Sequence, residues 1–80
     1  MDDYHLAVDF MDMTDDRRLW TRLQDARAGF VPVAGRYAIV GDEDADLAVA
    51  QILSVNAEGH IELVVLPGSV DSHRGLLPPT

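Results

Sequence analysis

The stretch "TDDRRLWTRLQDARAG", Thr14 to Gly29, decides how this chain is read. Its punctuation is that of an amphipathic helix. Thr14 is a good N-cap, and Asp15 and Asp16 fall in the first turn, where carboxylates suit the positive end of the helix dipole. Leu19, Leu23 and Ala26 recur on one stripe with Trp20 at its edge, and Arg18, Arg22 and Asp25 take the opposite, wet face. Arg27 sits in the last turn, Gly29 follows as a left-handed cap, and Pro32 blocks continuation. The expectation is one helix.

On the N-terminal side, "YHLAVDF" alternates. Tyr4, Leu6, Val8 and Phe10 face one way and His5, Ala7 and Asp9 the other, the period of a half-buried strand. On the C-terminal side, "RYAIVG", "LAVAQILSV" and "HIELVVL" are rich in β-branched residues and read as three further strands. In the second, Leu47, Val49, Leu53 and Val55 share one face, interrupted by Gln51, and Ala48, Ala50 and Ile52 share the other. In the third, Ile61, Leu63 and Val65 point inward, with His60 and Glu62 outward. "NAEG", Asn56 to Gly59, is a hairpin turn, with Gly59 free to take positive φ. "SVDSHRG" is read as one helical turn capped by Ser69 and stopped by Gly75, after which Leu76 and Leu77 dock on the core.

Short strands punctuated by Gly and Asp make Gly35 to Gly68 resemble Src-homology-3-like and Tudor-like small barrels. The resemblance concerns fold alone. Tyr37 is the single aromatic of that segment, so no binding residue carries over. The expected class is α+β: one N-terminal strand, one amphipathic helix, then a three-strand antiparallel meander. The meander forms either a small twisted sheet or a Src-homology-3-like partial barrel. At 80 residues the chain reads as a single domain, 1–80, with 1–3 and 78–80 frayed.

Composition narrows the function classes. The net charge is −8, with six arginines and no lysine, which repels phosphate backbones and argues against direct nucleic-acid binding. Arg without Lys, beside abundant Ala, Val, Asp and Gly, suggests a GC-rich bacterial or phage genome. There is no Cys, so neither disulfides nor thiolate metal sites supplement a core that is marginal at this length. The start "MDDYHL" lacks the basic region of a secretory signal, and no apolar run approaches a membrane span. A cytoplasmic protein without membrane association is expected.

The chemical motifs are weak. In "GDEDADLA", Gly41 to Ala48, alternate Asp42, Asp44 and Asp46 look like the start of a calcium loop. Counting from Asp42, that loop needs Gly at the sixth position and Glu at the twelfth, where Leu47 and Leu53 stand instead. The segment is better read as an acidic hairpin tip, and no metal ligand is assigned. His5 and His60 would join Asp9 and Glu62 in a cluster if their strands were adjacent, although wet-face histidines are commoner. Ser72 neighbours His73, but no nucleophile-elbow pattern surrounds it. Enzyme activity and cofactors are not expected.

What remains is an interaction module: a small acidic protein that binds another protein, with a basic surface, or self-associates into a homo-oligomer. The expected contact residues are Asp42, Glu43, Asp44 and Asp46, with Trp20 as apolar anchor, and Arg18 and Arg22 offer a basic contact. Trp20, Phe30, Met11 and Met13 are expected to complete the core; exposed, they would mark an interface. Two other classes stay open. One is an acidic inhibitor or nucleic-acid mimic of phage or toxin–antitoxin type. The other is a small divalent-metal-binding protein.

Overall fold

The computed structural model describes residues 4–42 and 46–77. Its strands are β1 (Leu6–Ala7), β2 (Arg18–Arg22), β3 (Tyr37–Gly41), β4 (Leu47–Val55) and β5 (His60–Val65). They form one sheet in the order β1-β3-β4-β5-β2. β1 runs parallel to β3, and the other neighbours are antiparallel.

The helix expected over 14–29 is absent, and the α+β class falls with it. Thr14 begins a reversal instead. The Arg17 N–H donates to the Thr14 carbonyl at 2.9 Å, and the Thr14 N–H donates to the Arg18 carbonyl at 3.0 Å. The Thr14 hydroxyl accepts from the Arg18 N–H at 3.0 Å and donates to the Asp16 carboxylate. Arg17 closes the turn with φ of 65°, a left-handed conformation costing a non-glycine residue about 1–2 kcal/mol. Its side chain offsets that strain: Nε donates to the Val65 carbonyl at 2.9 Å, while the Arg17 carbonyl accepts from the Val65 N–H at 2.8 Å.

From Arg18 the chain is extended and pairs along β5, with Leu19 opposite Leu63 and Thr21 opposite Ile61. Leu19 and Thr21 are buried, while Arg18, Trp20 and Arg22 face water. A helix would have placed Leu19, Leu23 and Ala26 on one buried stripe. Leu23 is instead 49% exposed, in a short 3-10 turn, Leu23–Asp25. Ala26 then bridges to Leu6. Gly29 does take positive φ, but in a turn where the Phe30 N–H meets the Arg27 carbonyl at 3.0 Å.

The strands read from "RYAIVG", "LAVAQILSV" and "HIELVVL" form the middle of the sheet rather than the whole of it. Asn56 to Gly59 close the β4–β5 hairpin, with the Gly59 N–H on the Asn56 carbonyl at 3.1 Å and the Asn56 N–H on the His60 carbonyl at 3.0 Å. A register shift between Ile52 and Ser54 bends β4. The sheet curls into a half-barrel around Leu6, Leu19, Val40, Ile52, Ile61 and Leu63, all fully buried. Val8, Phe10, Met13, Ala26 and Phe30 pack against that core. Met13 and Phe30 therefore help to close it as expected, whereas Met11 (91% exposed) and Trp20 (54% exposed) do not.

The curl brings the two edge strands together. The Thr21 hydroxyl donates to the Ala7 carbonyl at 2.7 Å, and the Arg27 N–H donates to the His5 carbonyl at 2.7 Å. The first joins β2 to β1 and the second joins the segments that flank them, and together they make a seam. At the C-terminal end, Asp71–Leu76 is a 3-10 turn with the Ser72 N–H on the Ser69 hydroxyl at 3.2 Å. Leu76 stays exposed rather than docking. Among the described residues, no helix is long and apolar enough to cross a membrane.

The seam bond gives a direct prediction. Thr21→Val keeps the shape of the side chain and removes the hydroxyl, leaving the Ala7 carbonyl without its donor. Unfolding in urea should show a loss of about 1–3 kcal/mol. An unchanged midpoint and slope would show that the seam does not depend on this bond.

Candidate functional site

The seam does not close along its whole length. Beside the Thr21–Ala7 bond lies a groove of about 310 Å³, with Ala7 and Val8 on one wall and Trp20, Thr21 and Arg22 on the other. Tyr4 supplies a second aromatic, and Asp9, Asp12, Asp25 and Asp42 supply carboxylates around it. Four carboxylates against the one guanidinium of Arg22 leave the groove negative.

Each wall follows from local chemistry. Alternation along β2 turns Trp20 and Arg22 outward while Leu19 and Thr21 anchor the strand inward. Asp9 is placed by capping: its Oδ1 accepts from the Met11 N–H at 2.9 Å and starts the 3-10 turn Phe10–Asp12. Asp25 ends the Leu23–Asp25 turn with its Oδ2 3.5 Å from the Thr21 hydroxyl. Asp42 opens the β3–β4 connection, where its Oδ1 accepts from the Asp46 N–H at 3.1 Å. Tyr4 lies against the backbone of Gly41. A Cβ at Gly41 would collide with that ring and stand 2.8 Å from Leu47 Cδ2, so glycine sets how closely Tyr4 approaches β3.

The residues expected to make contacts are thus partly gathered. Asp42 and Trp20 line the same groove. Asp46 is exposed on the connection behind it. Glu43 and Asp44 lie outside the described residues. Arg18 and Arg22 do share the outer face of β2, but Arg18 is engaged: Nη1 is 3.0 Å from Glu62 Oε2, and Nε is 3.5 Å from Asp16 Oδ2. These exposed pairs contribute little stability. Tyr4, Asp12, Thr21 and Asp25 are absent from the expected contacts, because a helix at 14–29 hides the seam, and Asp9 enters only beside His5, His60 and Glu62. The signal that finds them is "RLWTR", whose alternation breaks only if Thr21 is assumed to face water.

The imagined histidine cluster does not form. β1 and β5 are separated by β3 and β4 in the sheet. His60 instead lies opposite Arg22, bordering a second hollow of about 310 Å³ with Trp20, Thr21 and Arg22. Among the described residues, no group of three or more His, Asp or Glu side chains is placed to hold a metal ion. No protein-family model, curated protein or solved structure matches this chain.

His5 has a structural task. Its ring stacks on Phe30 with centroids 4.8 Å apart, and its Nδ1 accepts from the Ile39 N–H at 3.0 Å. An accepting Nδ1 carries no proton. Burial first, and the Arg27 charge second, hold the His5 pKa below 6.5. The unfolded chain therefore takes up this proton at a higher pH than the native one does. The stability from neutral His5 is complete above the unfolded value and is lost as pH falls through the folded value. Denaturant midpoints should decline on acidification below the ordinary imidazole range. In His5→Phe, which retains a ring on Phe30 but neither titrates nor accepts, that component of the decline should vanish. An identical pH profile in the variant would contradict this assignment.

Proposed function

We propose that this chain is a small acidic, non-enzymatic protein-interaction module that binds a basic partner through the seam groove. The observation that supports it is the groove's composition: four carboxylates and two aromatic rings around one cleft, on a molecule of net charge −8. Trp20 is the natural anchor. A large aromatic left half in water by a chain with so little core is an apolar contact awaiting a partner. Carboxylates around it attract a cationic surface and speed encounter. A second copy carries the same charge, so the basic partner is favoured over self-association. The absence of Cys suits a reducing compartment, and we place the module in the cytoplasm.

Partner capture by the wild-type chain, repeated with purified components, provides the test. Asp12→Arg with Asp25→Arg should weaken binding about tenfold or more at low salt, chiefly by slowing association, and the difference should shrink as salt is raised. Trp20→Ala should weaken it by a similar factor through faster dissociation. Binding that tolerates both sets of changes at low salt would place the partner surface elsewhere.

A further inference from the structure

The backbone of β2 carries a feature independent of the groove's charge. In an antiparallel ladder, alternate residues turn their N–H and C=O towards the neighbouring strand and the residues between turn theirs away. The Val65 N–H on the Arg17 carbonyl at 2.8 Å and the Leu23 N–H on the Gly59 carbonyl at 2.7 Å fix the phase. Arg17, Leu19, Thr21 and Leu23 bond towards β5. Arg18, Trp20 and Arg22 present theirs to the open edge.

Arg18 is already satisfied there, since Thr14 takes both its N–H and its carbonyl. Arg22 is the N-cap of the 3-10 turn Leu23–Asp25, the position whose carbonyl is directed at the first turn. The Trp20 N–H, the Trp20 carbonyl and the Arg22 N–H remain, without a bonded partner among the described residues. The seam groove of about 310 Å³, with Ala7 and Val8 across from Trp20, Thr21 and Arg22, borders this edge, so space lies beside it. An unpaired edge flanked by an open groove is a template for an added strand.

We propose that the β2 edge at Trp20 and Arg22 takes an extended basic segment of a partner protein as an added strand. This rests on the interaction-module reading and specifies how the same groove binds. The backbone groups supply register. A Lys or Arg side chain of the segment lies against the Trp20 ring, with Asp12 and Asp25 within the same groove to neutralise it. Charge selects the occupant: a second copy would bring its own carboxylates to the groove, whereas a basic strand meets opposite charge.

The full chain, labelled with nitrogen-15, is titrated with three blocked hexapeptides: alternating Lys and Val, the same sequence N-methylated at alternate residues, and alternating Glu and Val. The Lys–Val peptide should slow hydrogen exchange at the Trp20 and Arg22 amides by about tenfold or more. N-methylation on the pairing side keeps every charge but removes the donors. It should abolish that protection and weaken binding about tenfold. The Glu–Val peptide should not bind. Equal binding of the two basic peptides, or binding with no protection at Trp20 and Arg22, overturns strand addition and leaves the basic-partner reading standing. Failure of both basic peptides to bind overturns both. Protection of the same two amides that rises with protein concentration in the absence of peptide assigns the edge to a second copy, and likewise overturns the proposal.

Discussion

The hydrogen bond from the Thr21 hydroxyl to the Ala7 carbonyl joins the first and last strands of the sheet. With the Arg27–His5 bond and the Leu6–Ala26 bridge beside it, it holds β1 against β2 in the curled layer, where Leu6 and Leu19 are fully buried in one core. Thr21 can make this bond only from an inward position on an extended strand. Its β-branched carbon fills core space, and its oxygen reaches a carbonyl that would otherwise go unpaired. The groove, the exposure of Trp20 and the open backbone edge all follow from that placement.

The same requirement explains why the sequence misleads over Thr14 to Gly29. Thr and Asp favour helix starts and β-turns for one reason, because their short oxygens bond nearby backbone N–H groups. Residues 14–17 and 56–59 form the same reversal. In each, the fourth residue donates to the first residue's carbonyl, and the first pairs with the fifth. In each, the first side chain accepts from the fifth N–H. Gly59 occupies the left-handed position in one and Arg17 in the other. Glycine announces its turn in the sequence; arginine there does not, and its cost is offset by a carbonyl 48 residues away. Thr21 completed the misreading, since a hydroxyl at an inward position disguised the alternation of "RLWTR".

The central strands were legible because Val, Ile and Leu at period two have few other uses, and Ile61, Leu63 and Val65 point inward as read. The candidate site was legible only in outline. The acidic excess and Trp20 were visible, but the groove draws on Tyr4 and Asp9, Trp20 and Asp25, and Asp42, three separate stretches of chain. Their meeting depends on the curl of the sheet, which no local pattern encodes. Had residues 14–29 been helical, Trp20 would have offered a side chain and no free backbone edge. A strand offers both, and the proposed mode of binding rests on that difference.

The most direct measurement is the nuclear Overhauser effect between the α-protons of Trp20 and Glu62, which lie opposite one another in the ladder. They belong to a non-hydrogen-bonded pair, whose Cα atoms approach to about 4.5 Å. The account predicts a strong α-proton contact there and a weaker one between Leu19 and Leu63. Its absence, with contacts running from Leu19 to Arg22 and from Leu19 to Leu23 at helical spacing, would contradict β2, the seam and the groove together.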